Sequence, residues 1–350
     1  RLAYLLSAQL HAREGRVVRG AATGLLALAA ALRRRGAGSA EPGGAARRRF
    51  ELFLPAVAEA CACFHQHRRR DVLLAAACLA PRRDQRLLDQ LLERRSPAHG
   101  AFGELLRQAG DREVRRSLLF FAVFPELQPS VRRALGNAAI GPRLDDVLAM
   151  SHLTAVPEVR SVVRHIHQPQ HLVPDPAQAS RMTAPSLRAL PRWLRALHLP
   201  RDRRVEALTT VTAADDRVAR LLALRAIMAE HDRGEPYAAE PLAAMTRDVD
   251  PAIAVIALRH LMRHDYADLS RLLLGLIDSP HDRVRRIAEQ QVGRVGFDRL
   301  WRVWPRLDRG ARRSAGLALL KIDRDLHRQL AHRMADRDPE RCPCSCLQFP

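Results

Sequence analysis

The chain has 350 residues, of which 47% are apolar and 27% are charged, and its aromatic residues are nine Phe, three Trp and three Tyr. Glycine (18) and proline (22) occur at ordinary frequency, which excludes a collagen-like or globally disordered chain. The longest run without a charged residue, 20–32, has 13 residues. A membrane-spanning helix needs about 20, so we expect no transmembrane helix.

The net charge of +20 comes almost entirely from arginine, since Lys321 is the only lysine among the 58 basic residues. Such uniform use of arginine is typical of a compositional bias, and it weakens the case that each arginine makes a specific bidentate contact. The positive excess is largest at the two ends of the chain. Nucleic acid, acidic proteins and anionic lipid are all attracted by such charge, and net charge alone does not choose among them.

The first segment in chain order, residues 1–32, is predicted to be helical. Residues 33–49 begin and end with three arginines and contain four glycines and a proline, which is typical of a flexible loop. Residues 50–166 carry apolar residues at steps of three and four, the spacing of amphipathic helices. Residues 167–186 contain four prolines and no clear helical period, and they are predicted to be an irregular connection.

The second half of the chain, residues 187–340, has the same helical periodicity, and residues 341–350 form a cysteine-rich tail. No segment alternates apolar and polar residues in the manner of strands, so the sequence predicts an all-α protein. Three sets of residues are predicted to line inward helix faces: Val218, Leu221, Leu222, Arg225 and Met228; Ile253, Ile256, Ala257 and His260; and Val284, Ile287, Ala288, Val292 and Val295.

A short motif recurs along the chain. It consists of an acidic or proline-containing turn and a β-branched residue, which is usually followed directly by an arginine. A small or apolar residue stands four positions after the β-branched one. The β-branched positions are Val114, Val131, Val159, Val218, Ile253 and Val284. The last three are 35 and 31 residues apart, a spacing that holds two short helices. An Asp or Ser at the turn is predicted to cap the next helix, and proline fits its first turn.

This motif resembles that of the HEAT repeat family, especially its bacterial short-repeat type, and the copies at 250–258 and 278–288 match best. The resemblance is good over about 210–335 and weaker over about 50–165. It implies an α-α superhelix, a solenoid of antiparallel helix pairs in which each pair buries its face on the next. In the family the Asp and Arg of the motif make structural hydrogen bonds, which implies a scaffold role for Arg115, Arg160 and Arg285.

Three clusters contain residue types that bind zinc, and none has zinc-site spacing. Cys61, Cys63, His65 and His67 alternate, so a helix would place at most two of them on one face. A second cluster is His165, His167 and His171. The third cluster, Cys342, Cys344 and Cys346, lies in the tail and is expected to be disordered. The sequence therefore predicts no metal site and no cofactor.

Catalytic motifs are missing from the sequence, including G-x-S-x-G, the P-loop, G-x-G-x-x-G and H-E-x-x-H. There is no His-Glu dipeptide, which argues against the di-iron HEAT hydroxylases, and nothing identifies the bilin site of lyase-type HEAT proteins. Trp193, Trp301 and Trp304 would suggest the HEAT-like DNA glycosylases. Trp301 and Trp304, three positions apart, are instead predicted to be core residues.

These observations predict a cytoplasmic, non-catalytic HEAT-like scaffold that binds a protein partner, with no assigned catalytic or binding residues. The alternative is a nucleic-acid-binding HEAT-like protein, in the class of DNA-repair glycosylases, that contacts phosphates through the arginine-rich ends. Arginines that converge on one face of the solenoid would favour this alternative, as would a steep salt dependence of DNA binding.

Overall fold

The computed structural model describes residues 54–82, 85–264 and 266–303, with shorter stretches at 2–10, 12, 14–21, 23–24, 27, 306, 308–310, 312–313, 327–328 and 331. All of the regular structure in these residues is helical, which confirms the all-α prediction. The chain divides into two compact units, residues 1–219 and 220–350. None of the helices in the described part of the chain is long and apolar enough to cross a membrane.

The first unit contains a series of short helices. They are α1 (Leu2–Gln9), α2 (Leu54–Ala62), α3 (Phe64–His67), α4 (Arg70–Leu79), α5 (Gln85–Leu92), α6 (Pro97–Gln108), α7 (Arg112–Phe121), α8 (Gln128–Leu135), α9 (Leu144–Leu148), α10 (Pro157–Arg164), α11 (Pro176–Ala179), α12 (Ala184–Ala196) and α13 (Arg201–Thr212). Short 3-10 helices lie at Ala80–Arg82, Ala138–Arg143, Ser151–Ala155 and Pro169–Leu172.

The second unit continues this pattern. Helix α14 (Arg217–His231) crosses the boundary, and it is followed by a 3-10 turn at Pro236–Ala238, α15 (Ala239–Met245), α16 (Pro251–Arg263), α17 (Leu269–Leu276) and α18 (Asp282–Val303). Helix α16 packs against α15 and α18, and α17 packs against α18.

The predicted capping is found at some of the motif turns, whereas α8 and α10, which begin at two other copies of the motif, have no side-chain cap. The side chains of Ser96, Asp111 and Asp250 accept hydrogen bonds from backbone N–H groups in the first turns of α6, α7 and α16. The Asp216 carboxylate likewise accepts the Ala219 N–H at 2.8 Å at the start of α14. Since such caps stabilise a helix by about 1 kcal/mol each, the polar turn residues of the motif determine where these helices begin.

Within residues 1–219 the helices pack in two rows. Helices α4, α7, α9, α12 and α13 form the first row, and α5, α6, α8 and α10 form the second, each helix in contact with the next. Contacts of α6 with α4 and α7, and of α10 with α12, join the two rows. Helices α4, α6, α7, α10 and α12 therefore contact both their own row and the opposite row.

The core of this unit consists of apolar side chains between the two rows. Phe102 and Phe121 are fully buried and meet edge to face, with ring centroids 4.9 Å apart. The Trp193 ring is also fully buried, and its indole N–H donates to the Leu172 carbonyl at 3.1 Å. Trp193 is thus a structural residue that ties α12 to the 3-10 turn at Pro169–Leu172.

The predicted inward faces agree with the structure in part in α16 and α18: Ile256, Ile287 and Val292 are only partly buried, and the side chain of Val295 lies outside the described residues. Ile253, Ala257 and His260 are buried on α16, and Val284 and Ala288 are buried on α18. Five of the six β-branched motif positions are buried, with Val114, Val131 and Val159 fully so.

The predicted face of α14 is wrong. Val218 is 43% exposed, Leu221, Leu222 and Met228 are only partly buried, and Arg225 is exposed. The buried face consists of Ala219, Ala223, Leu224, Ala226 and Ile227. Small alanine side chains let neighbouring helices approach closely, so they take the interior positions, and Ala219 rather than Val218 occupies the motif position.

Several predicted boundaries differ from the observed ones or cannot be compared with them. Residues 167–186 contain the 3-10 turn at Pro169–Leu172 and helix α11, and the division between compact units falls instead within α14. The predicted loop 33–49, the tail 341–350 and Trp304 lie outside the described residues.

Gly141 marks the closest approach of two 3-10 turns, because a Cβ built on it would lie 2.5 Å from the His171 carbonyl oxygen. We expect Gly141→Ala to destabilise the protein by about 1–3 kcal/mol, since the turns would have to separate. The control is Gly100→Ala in α6, where a Cβ meets no atom within 4 Å and alanine favours the helix by about 1 kcal/mol. Thermal unfolding of both variants tests the packing, and equal stability would contradict it.

Candidate functional site

The motif arginines bind backbone carbonyls of the turn that precedes their own helix. Arg115 Nη1 donates to the carbonyls of Ala109 and Gly110 at 3.2 and 2.9 Å. Arg160 Nη2 donates to Ala155 O at 3.0 Å, and Arg285 Nη1 donates to Ser279 O at 3.0 Å. These bonds satisfy carbonyls that a turn leaves without helical partners, so all three arginines make the scaffold contacts that the resemblance implies.

Two motif arginines also form buried ion pairs with an aspartate about one repeat further along the chain. Arg115 Nη2 lies 3.0 Å from Asp146 Oδ2, and Arg220 Nε lies 2.9 Å from Asp248 Oδ2. All four side chains are at most 12% exposed. A buried charge without its partner costs several kcal/mol, so these pairs set the register between successive helices. The four side chains are therefore engaged in structural contacts.

The alternating Cys/His cluster does not come together. Burial raises the pKa of Cys61 to about 12, which keeps its thiol protonated. His67 Nε2 is 2.8 Å from Ala60 O, and His67 Nδ1 accepts the Arg69 N–H at 3.0 Å. His65 is exposed. Both ring nitrogens of His67 are therefore engaged by the backbone, and Cys61 is a core residue.

The second histidine cluster is also dispersed. His165 Nδ1 lies 2.7 Å from Ser161 O in its own helix, whereas His171 Nε2 lies 2.7 Å from Leu135 O of α8. His167 is exposed. The thiol tail with Cys342, Cys344 and Cys346 and the side chain of Trp301 lie outside the described part of the chain.

A different group of histidines meets in the second unit, where the C-terminal ends of α14 and α16 come together. His231 is the last residue of α14 and Asp232 follows it. His260 lies one turn before His264, which caps the C-terminus of α16. Among the described residues, Asp232, His260 and His264 are the group whose potential metal-ligand atoms all lie within 4.8 Å of one another.

The distances in this cluster are short. The Asp232 carboxylate oxygen lies 3.0 Å from His264 Nε2 and 3.6 Å from His260 Nε2. His231 Nδ1 is 3.1 Å from His260 Nε2. The rings of His260 and His264 are 4.4 Å apart, and that of His231 is 5.2 and 5.3 Å from them. Three imidazoles and one carboxylate therefore converge on one small region.

The turn after α14 positions the Asp232 carboxylate. Gly234 has φ +85°, a left-handed conformation that favours glycine, and the Glu235 N–H donates to Glu230 O at 3.3 Å. This is the Schellman arrangement that commonly ends a helix. It places His231 at the last position of α14 and Asp232 directly after it.

Burial favours the neutral form of two imidazoles in this cluster, those of His231 and His260. Burial lowers the pKa of His260 and of His231, and the charge of His264 lowers both further. The negative charge of Asp232 acts in the opposite direction and raises the pKa of both histidines. The C-termini of α14 and α16 each present the negative end of a helix dipole. Imidazole nitrogens, a carboxylate and two negative helix ends form a set of groups suited to a bound cation.

Sequence reasoning missed this cluster. It identified His260 only as a member of the inward face of α16. The i,i+4 pair His260 and His264 was the available signal, since two histidines one turn apart present both rings on the same side of a helix. Nothing in the sequence showed that the end of α14, 29 residues before His260, lies against them.

The second row of the first unit presents a basic surface. Helices α6, α8 and α10 carry five arginines and two glutamates. Arg132, Arg133 and Arg164 are exposed, and none forms an ion pair with another described residue. Other arginines of this unit are paired: Asp146 binds Arg112 and Arg115, Asp216 binds Arg188 at 2.6 Å, and Glu104 binds Arg107.

Comparison with family models, with curated proteins and with solved structures finds no match for this chain.

Proposed function

We propose that this protein is a non-catalytic, HEAT-like helical scaffold that binds an acidic partner protein on the outer surface of α6, α8 and α10. The observation that carries this proposal is the group of exposed arginines on the two helices α8 and α10, which contact each other. Arg132, Arg133 and Arg164 are exposed, and no ion pair joins them to another residue in the described part of the chain. We name these three residues the basic face.

The chemistry of the basic face supports a protein partner. Arginine is enriched at protein interfaces because its guanidinium forms bidentate bonds with carboxylates. Glu104 is bound by Arg107 and Gln108 of its own helix, whereas Glu158 at the start of α10 would repel a continuous phosphate backbone and could accept a lysine or arginine from a protein. The buried arginines Arg115 and Arg220 are held by structural contacts, which leaves the exposed ones for recognition.

The test is a charge reversal of the basic face, Arg132→Glu, Arg133→Glu and Arg164→Glu in one variant. The matched control reverses Arg181, Arg192 and Arg195, which are also exposed. Affinity capture from the native host is expected to retain acidic proteins with the wild type and the control, and to lose them with the variant. Binding that persists in the basic-face variant would refute the proposed surface.

Nucleic acid binding is the alternative that the same variants test. Retention of duplex DNA with a steep salt dependence, lost on reversal of the basic face, would favour phosphate recognition, because each neutralised phosphate releases counterions. If DNA binds equally well to the wild type and the basic-face variant, the DNA is bound by the arginine-rich ends of the chain and not by the basic face.

A further inference from the structure

We infer that His231, Asp232, His260 and His264 form a site for a divalent transition-metal ion of the zinc class. The four residues supply three imidazole nitrogens and one carboxylate oxygen, a donor set that zinc binds well. The inference goes beyond the proposed scaffold function and does not depend on it, since the basic face belongs to the other compact unit.

Three of the four donors already lie close to one another, since Asp232, His260 and His264 each offer a ligand atom within 4.8 Å of the other two, and His231 Nδ1 lies 3.1 Å from His260 Nε2. With metal–ligand bonds of about 2.0–2.1 Å, neighbouring ligand atoms of a tetrahedral site lie roughly 3.3 Å apart. The three short donor distances in this cluster are 3.0, 3.1 and 3.6 Å. These distances lie near the tetrahedral value for the Asp232–His264, His231–His260 and Asp232–His260 pairs, and His231 is the donor that would have to move closer to the other three.

Burial and exposure divide the cluster into an anchored side and an open side. His260 is 3% exposed and is fixed within the core. The side chains of His264 and Asp232 are 39% and 52% exposed. The exposed pair gives an ion a path from solvent, whereas the buried imidazole limits the freedom of the site. Since the ligands come from the ends of two helices, a bound ion would clamp α14 to α16.

The experiment uses the full chain with Cys342, Cys344 and Cys346 changed to serine, so that tail thiolates do not compete for metal. Zinc is titrated into metal-free protein against a chromophoric chelator. His264→Ala and Asp232→Ala remove exposed ligands, which avoids a cavity at the buried His260. His165→Ala is the matched control, because His165 is also an exposed histidine at the C-terminal cap of a helix.

The wild-type background and His165→Ala are expected to bind one equivalent of zinc, and to unfold at a higher temperature when zinc is present. His264→Ala and Asp232→Ala are each expected to bind zinc more than about tenfold more weakly, since even outer-shell changes at metal sites cost that much. Cobalt in the site should give visible bands of tetrahedral intensity without a thiolate charge-transfer band. Zinc binding that is absent from the background protein, or equal in all four proteins, would overturn the inference.

Discussion

Replacing Val284 with aspartate is expected to unfold much of the second unit. Val284 lies on α18 and is fully buried where this helix packs against α16 and α17. A carboxylate there would lose its hydration without gaining a partner, at a cost of several kcal/mol. For a unit of this size each kcal/mol lowers the melting temperature by a few degrees, so we expect a fall of more than about 10 °C.

The matched control for this prediction is Arg286→Ala, two residues further along the same helix. Arg286 is exposed, and surface substitutions usually change stability by less than about 0.5 kcal/mol. The measurement is thermal unfolding followed by circular dichroism at the helical minimum. If the two variants melt at the same temperature, the inward face of α18 has been assigned to the wrong side of the helix.

The inward faces show how far the periodicity of a sequence determines packing. In α16 and α18 the branched aliphatics Ile253 and Val284 fill the interior positions, and periodicity located both. In α14 it failed, because Ala219, Ala223 and Ala226 are buried and Val218 is not. A search for large apolar side chains gives alanine little weight, but a tight helix interface selects alanine for its small size.

The metal-ligand cluster shows a different limit. The i,i+4 spacing of His260 and His264 is visible in the sequence, and it gives only half of a site. The other half comes from His231 and Asp232, whose position depends on where α14 ends and on the register of α14 against α16. That register is a tertiary property. It is set by contacts such as the Arg220–Asp248 pair, which no local pattern reveals.

The Arg220–Asp248 pair is therefore expected to be among the most sensitive polar contacts of the second unit. The two side chains are 9% and 5% exposed, and Asp248 also accepts the Asp250 N–H at 2.7 Å in the turn before α16. Arg220→Ala leaves the aspartate buried without this guanidinium, so we expect a loss of about 3–5 kcal/mol.

A double-mutant cycle separates the pair from its surroundings. Arg220→Ala and Asp248→Ala together are expected to cost less than the sum of the single changes, because neither charge is then left buried alone. The control cycle is the exposed pair Arg203–Glu206, which is 2.8 Å apart with side chains 68% and 67% exposed. Its coupling should be much smaller than that of the buried pair, because solvent and salt screen an exposed ion pair.

Urea unfolding of the variants gives the coupling energies of both cycles. A large coupling for Arg220–Asp248 and a small one for Arg203–Glu206 would show that the motif arginine at position 220 holds successive helices in register. If the two cycles give equal and small couplings, water must reach the Arg220–Asp248 pair, and apolar packing alone must then position α14 against α16.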